Sequence, residues 1–336
     1  MSGIFDEMES VELQRVLWLH HPATRMRALV AIDDVTLGPA AGGIRTQTYA
    51  DEATALADAA RLARSMTLKC SLAGLDAGGG KVVVMEVPGL NRDLGFRWLG
   101  QELARLDHFW TGGDVGTTRR DLQRVAECSP RVATDLDDLA VAVARGVVSC
   151  MHALAGHRGV ALGDLRVAIQ GCGQTGSALA TELDALGCGL VLCDTDISRA
   201  RALARTVQAT VVPPHAIWRQ QVDVVSPCAV GGVLNEHALD ELKAWGVCGA
   251  ANNVLDTPQL AQGLLEREIR HVPGIVTSAG AVLAGLGPKL MGWTDVNARI
   301  DALGEMATEI LEAAEAEGRP ELHVAEDRAW ERIELG

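Results

Sequence analysis

The stretch VAIQGCGQTGSALA, residues 167–180, followed by LVLCD, residues 190–194, decides how the second half of this chain folds. Gly171, Gly173 and Gly176 stand between a short apolar run and a segment of helical spacing. The first glycine permits a tight turn, the second lets a bound group approach the backbone, and the third lets helix and strand pack closely. With Gln174 and Thr175 they open a helix whose N-terminal amides favour phosphate charge. Asp194 ends the next strand-like run, where a carboxylate can bond ribose hydroxyls. The spacing therefore predicts a dinucleotide site. A carboxylate there repels a 2′-phosphate, which favours NAD over NADP, although Arg199 and Arg201 nearby soften that preference. A glycine turn in a purely structural α/β unit is the alternative, and the strand, helix and Asp194 together argue against it.

Outward from this stretch the pattern repeats. RVAIQ, LVLCD, TVV, VDVVSP, VCGAA and PGIV are short apolar runs separated by helical segments, which predicts βαβ units and a parallel sheet. Residues 138–157 form an alanine- and valine-rich helix leading into that region. Towards the N-terminus, residues 11–49 read as short strands around a turn, 51–66 as a helix with acidic residues first and arginines last, and KVVVMEV as a strand. Residues 294–317 read as a helix with Thr294 as N-cap, stopped by Gly318 and Pro320. The expected fold is α/β with two domains: an N-terminal substrate-binding and oligomerisation domain over 1–140 and a Rossmann-type NAD-binding domain over 141–293. The C-terminal helices, 294–336, are expected to pack back on the first domain, and the active site is expected in the cleft between the two.

Bulk properties narrow the function classes. A chain of 336 residues suggests about two domains. The net charge of −14 argues against a nucleic-acid partner. None of the eight cysteines has CxxC spacing, so buried thiols in a reducing compartment are expected rather than a disulfide frame or a zinc site. The nine histidines form no paired-ligand motif, and no metal is expected. The acidic start MSGIFDEMES does not read as a signal peptide. No run of about 18 apolar residues stands out, so no membrane span is expected. A cytoplasmic enzyme is the expected class.

A second glycine-rich stretch, MTLKCSLAGLDAGGGK over residues 66–81, carries Lys69 and Lys81. A lysine in a desolvated, glycine-lined pocket has a lowered pKa and can act as a general base near neutrality. A second lysine that stays charged can hold a carboxylate. Ordinary surface lysines at the ends of a helix and a strand are the competing reading of this stretch taken alone.

From Leu37 to Leu283 the chain resembles the Glu/Leu/Phe/Val dehydrogenase family. The matching pieces are LGPAAGG, MTLK, GGGK, TGGDVGTT, QGCGQTG, SPCAVGG and GAANN, in the family's order. The resemblance implies NAD-dependent oxidative deamination of an L-amino acid to its 2-oxo acid and ammonia, in an enzyme that is at least a dimer. It implies that Lys69 binds the substrate carboxylate, that Lys81 activates water, and that Asp114 transfers protons at the substrate nitrogen. Gly42 and Gly43 then line the substrate floor, and Asn252 is a further carboxylate ligand. Cys228, Ala229 and Asn252 join the cofactor site, and Ser278 the substrate site.

Ala41 stands where glutamate dehydrogenases carry a lysine for a side-chain carboxylate, so glutamate is not the expected substrate. Leucine-type enzymes tend to carry leucine there. The smaller Ala41, with Ala284 and Gly285, points to a roomier apolar pocket, and an aromatic side chain such as phenylalanine is favoured over leucine or valine. The chain departs from the family at Val143, where a threonine is usual, and at Gly274, Ser278 and Ala281, where an aspartate, an asparagine and a glycine are usual. These departures leave two other readings: a member acting on an unusual amine or imino acid, and an inactive nucleotide-binding relative.

Overall fold

The computed structural model describes residues 4–10, 12–134 and 137–336. The first three residues of the acidic N-terminal stretch, and Val11, where the strand region was expected to begin, lie outside these. In chain order the elements are α1 (Ile4–Ser10), β1 (Arg15–His21), β2 (Met26–Ile32), β3 (Ala40–Ala41), β4 (Ile44–Gln47), α2 (Glu52–Leu72), β5 (Gly78–Met85), α3 (Arg92–Ala104), β6 (Phe109–Trp110) and α4 (Arg119–Ala126). Next come α5 (Asp137–Arg158), β7 (Arg166–Gln170), α6 (Gln174–Ala185), β8 (Gly189–Cys193), α7 (Ile197–Leu203), β9 (Ala209–Val211), β10 (Val224–Pro227), α8 (Glu236–Glu241), β11 (Gly246–Cys248), α9 (Leu260–Glu266) and β12 (Arg270–Val272). The chain ends with α10 (Gly274–Thr277), α11 (Gly280–Leu286), a π-helical turn (Gly287–Met291), α12 (Val296–Asp301), α13 (Leu303–Glu317) and α14 (Glu321–Leu335).

Two compact units form. The first comprises Met1–Leu136, Gly285–Gly292 and Trp330–Gly336. Its mixed sheet runs β1-β2-β5-β3-β6, with β4 also paired to β5. MRALVAI and KVVVM are apolar at almost every position because both faces of the sheet are covered. Val30, Val82 and Val84 pack towards Phe96 and Leu99 of α3. Leu29, Ala31 and Val83 pack towards the alanine-rich face of α2, at Ala55, Ala59 and Ala63.

The second unit comprises Asp137–Ala284 and Trp293–Ala329. Its six strands are all parallel, in the order β12-β11-β10-β7-β8-β9. The chain leaves β7 in one direction through β8 and β9, then returns to build β10, β11 and β12 on the other side. This is the doubly wound order, and the reversal between β7 and β10 creates a crevice at the strands' carboxyl ends.

Four expectations change. PGIV is not the last strand: β12 is Arg270–Val272, Pro273 caps it, and Gly274–Thr277 is helical. The N-cap of the late helix is Asp295 rather than Thr294, with its side chain accepting from the Ala298 amide. Trp293–Ala329 belong to the second unit, and only Trp330–Gly336 to the first. The reason is the apolar face of α13, which packs on α5: Cys150 Sγ lies 3.6 Å from the Leu303 carbonyl, and Arg145 pairs with Asp301 at 2.6 Å. Lastly, Leu139–Arg158 and Gly274–Met291 are long and apolar enough to cross a membrane. About half of each stretch is buried inside the folded chain, as in core helices, whose apolar residues pack against protein.

His271 on β12 is buried, and neither ring nitrogen has a hydrogen-bond partner among the described residues. Burial pushes its pKa down from 6.5 to about 4. The unfolded chain takes up this proton at a higher pH than the folded one. The site is therefore at full stability above pH 6.5 and loses stability as the pH falls towards 4. His271→Leu should raise the melting temperature at pH 5 clearly more than at pH 7.5. Thermal melts at the two pH values test this, and an equal shift at both would refute it.

Candidate active site

The helix expected over 51–66 runs on to Leu72, so Lys69 sits in its last turn rather than beyond it. Asp51 caps the start of α2 by accepting from the Thr54 amide at 2.8 Å. The helix lies directly on the glycines of β5. A side chain at Gly79 would meet Thr67 Oγ1 at 2.1 Å and the Ala63 carbonyl at 2.2 Å. On the other side of β5, a side chain at Gly42 would meet the Gly80 carbonyl at 1.6 Å. Gly42 and Gly43 therefore act first as spacers. They let β3 lie against β5 and the 111–114 segment, to which Gly42 and Ile44 donate backbone hydrogen bonds at the Trp110 and Gly112 carbonyls.

This close approach brings three charged groups together. Lys81 Nζ lies 2.6 Å from Asp114 Oδ2. Burial acts to raise the Asp114 carboxyl, but Lys81 and Arg45 override it and hold it down at about 2. Lys69 is fully enclosed. Burial, and then the Lys81 cation, lower its pKa from 10.5 to about 8. The sequence reading gave a depressed value to the lysine that acts as base. The structure gives one to Lys69, because Lys69 is buried and faces another lysine.

The second unit gathers the other predicted residues at the reversal between β7 and β10. Gly171 has φ +99°, and a side chain at Gly176 would meet the Gly171 carbonyl at 1.9 Å. The space around Gly173 is open, with nothing within 4 Å of an added Cβ, and Gly173 brings no capping side chain to the start of α6. A backbone turn followed by Gln174 and Thr175 at a helix N-terminus with open space before it fits a dinucleotide pyrophosphate. Ala229 abuts the turn: an added Cβ on Gly171 would lie 2.8 Å from the Ala229 Cβ. Cys228 lies under Gly176, whose added Cβ would be 3.4 Å from the Cys228 Cβ.

Asp194 ends β8 as expected, yet much of its carboxylate serves the protein. It accepts from the Cys172 amide and the Asp196 amide, each at 2.8 Å, and Arg199 Nη1 lies 3.4 Å from both oxygens. Ser278 Oγ lies 3.0 Å from Asn252 Oδ1 and 2.6 Å from the Gly274 carbonyl. Ser278 therefore meets Asn252 directly. At Gly274 an added side chain would come within 2.7 Å of the Ala251 carbonyl. Val143 is buried on α5.

Two residues escaped the sequence reading. Ala41 pairs with Gly79 on one side and with Trp110 on the other. Side chains two residues apart on a strand share a face, so Lys81, Ala41 and Trp110 all lie on the face that α2 covers. Lys289, carried by the π-helical turn, sits over the Trp110 ring at 5.6 Å. The second residue is Arg45, which reaches Asp114 from β4. Trp110 could have been suspected from its place just before TGGD, but its pairing with Ala41 is a tertiary fact.

Comparison with known proteins gives the same outline. A family model described as Glu/Leu/Phe/Val dehydrogenase, dimerisation domain, matches residues 17–129, and one described as Glutamate/Leucine/Phenylalanine/Valine dehydrogenase matches residues 192–286. Leucine dehydrogenase of Thermoactinomyces intermedius is 32% identical, over 99% of this chain and 94% of that one. L-tryptophan dehydrogenase of Nostoc punctiforme is 35% identical over 83% of this chain and 81% of its own. Phenylalanine dehydrogenase of Thermoactinomyces intermedius is 31% identical over 99% and 94%. The crystal structure of L-tryptophan dehydrogenase from Nostoc punctiforme superposes with a TM-score of 0.82, at 32% identity and over 99% of each chain. A hetero-hexameric glutamate dehydrogenase from Thermus thermophilus shares the fold, with a TM-score of 0.80 at 22% identity, over 96% of this chain and 88% of that one.

The low pKa of Lys69 makes the binding of any ligand that needs its charge pH-dependent. Above about pH 8, where Lys69 loses its proton, a carboxylate ligand must bring a proton with it. Its affinity should then fall by about tenfold per pH unit. Inhibition by a simple hydrophobic carboxylic acid, measured from pH 7 to 9.5, tests this. A flat profile would show that Lys69 is not the group that meets the carboxylate.

Proposed function

The chain belongs to the Glu/Leu/Phe/Val dehydrogenase family, and from that premise we propose that it catalyses the reversible, NAD-dependent oxidative deamination of a hydrophobic L-amino acid to its 2-oxo acid and ammonia. The observation that carries this reading is the 2.6 Å contact of Lys81 with Asp114 in a site that also encloses Lys69. The nicotinamide ring supplies a two-electron acceptor for the hydride that leaves the substrate α-carbon. Every other step belongs to side chains of this protein.

Lys69 in its protonated form holds the α-carboxylate, with Asn252 as a second ligand steadied by Ser278. Asp114 relays a proton from the substrate ammonium, which leaves the nitrogen lone pair free to form the iminium as hydride departs. Lys81 takes a proton from water as the water adds to the iminium carbon. Lys81 passes that proton to solvent; Asp114 then returns a proton to the nitrogen as ammonia departs, while Lys81 accepts the hydroxyl proton and, so protonated, hydrogen-bonds the new carbonyl. Gly42 and Gly43 form the floor without adding bulk. Gly171, Gly173, Gln174, Thr175, Gly176, Cys228 and Ala229 hold the dinucleotide. The buried Asp194 carboxylate at the end of β8 disfavours a 2′-phosphate, which supports NAD as the cofactor.

An aromatic side chain is the preferred substrate group. Ala41 removes bulk at the sheet face that carries Lys81, and Trp110 offers an aromatic wall beside it. A flat ring stacks on such a wall, whereas a branched aliphatic chain fills it less well. Assembly into a homo-oligomer is part of the proposal. It is supported by the outer edge of β1, which pairs with no other strand among the described residues and where Trp18 is 43% exposed. A cytoplasmic location is part of the proposal, supported by the eight free thiols, six of them buried.

NADH formation with each L-amino acid tests the activity, with Lys81→Ala as the control that should abolish it. Turnover of phenylalanine or tryptophan above leucine is expected. Ala41→Leu should lower kcat/KM for the aromatic substrate by about tenfold or more relative to leucine. An unchanged preference would remove Ala41 from the account of specificity.

A further inference from the structure

Arg45 is a charged group in this site to which none of the sequence motifs gives a task. It stands on β4, opposite Val83 of β5, with its side chain 14% exposed. Its Nε donates to Asp114 Oδ2 at 3.0 Å, the same oxygen that Lys81 contacts at 2.6 Å. Its Nη1 faces both oxygens of Asp58 on α2, at 3.1 and 3.3 Å. Asp58 in turn accepts from Tyr49 Oη at 2.8 Å and from Arg61 Nη2 at 2.7 Å. The result is an unbroken line of alternating charge, Lys81, Asp114, Arg45, Asp58 and Arg61, drawn from β5, the loop after β6, β4 and α2.

The arrangement solves a problem that the proposed reaction creates. Each time Lys81 gives up its proton, the buried Asp114 loses the cation it leans on. An uncompensated buried carboxylate is costly, so it pulls the proton back onto Lys81. A guanidinium never loses its charge under these conditions and can face two carboxylates at once through separate nitrogens, which an ammonium cannot. Resting on the reading given above, we propose that Arg45, clamped by Asp58 and Tyr49, is a positioning residue for the deamination: a fixed cation that keeps Asp114 aimed and returns it to the carboxylate form between its proton transfers, whichever way the Lys81 proton goes. The other group that bears on Lys81 is Lys69 from α2, which in turn faces the Cys70 thiol. Lys69 favours deprotonation of Lys81 in the same sense as Arg45, and the Cys70 thiol is held neutral by burial.

The test compares Arg45→Met, Arg45→Lys and Asp58→Asn in the full-length enzyme, reading kcat and KM from pH 6 to 11. With Arg45→Met, kcat should fall by about 100-fold, KM by contrast should change less than about threefold, and the rising limb of the pH profile should move up by about one unit. Arg45→Lys should bring the limb back while recovering only part of kcat. Asp58→Asn removes an anion from the line and should move the limb slightly downward, which covers the case in which Arg45→Met does not fold. Lost activity with an unmoved limb in both Arg45 variants would reduce Arg45 to a structural tie between β4 and α2, and would overturn the proposal. An NMR titration of Lys81 in 13C-methylated protein needs no turnover. An upward shift in Arg45→Met supports the proposal even if no amino acid is oxidised, and no shift overturns it. The failure of the dehydrogenase reading is thereby separated from the failure of this one.

Discussion

One carboxylate oxygen holds the charged cluster of the first unit together. Asp114 Oδ2 receives both Lys81 and Arg45, and Lys69 lies enclosed beside them. Three cations in a buried site repel one another and lose hydration, so the site holds only because Asp114 and Asp58 are threaded between them. Every local feature of the surrounding sheet serves that placement. The run of glycines in β5 lets α2 descend onto the strand, Gly42 lets β3 come up on the other side, and Thr111 Oγ1 donates to the Gly42 carbonyl at 2.9 Å to hold the 111–114 segment against it. A single added methyl at Gly79 or Gly42 would separate the elements that carry the lysines and the carboxylate.

The second unit meets a different constraint, the close turn between a strand and a helix. Gly171 and Gly176 allow it sterically, and Asp194 fixes it by accepting from the Cys172 amide. The acidic residue at the end of β8 thus has a structural task besides any contact with a ribose. The parallel sheet contributes by its strand order, which puts the β7 turn and the 228–229 segment side by side without either being near the other in sequence.

Much of this was legible in the residues. The GxGxxG run, the strand–helix alternation, Lys69, Lys81 and Asp114 were all identified from spacing or from resemblance, because each lies in a local motif. Misreadings came where tertiary packing overrode local signals. PGIV has strand-like residues, yet after Pro273 the chain turns into a helix. The helix at 303–317 carries an apolar stripe that could have met either unit, and the stripe of α5 is what it meets. Leu139–Arg158 is apolar enough for a membrane because it is a core helix with neighbours on several sides.

Sequence by itself determined the doubly wound half, which depends on backbone turns held within short segments, while the two lysines and their carboxylate were read through the family resemblance of the short motifs that carry them. Only the tertiary structure decided how charge is shared among them. That Lys69 bears a depressed pKa, that Arg45 joins Asp114 to Asp58, and that Trp110 stands beside Ala41 all depend on strand register and on how deeply each group is buried. Electrostatic energy in a protein varies with distance and desolvation, and neither quantity is written in the order of residues along a chain.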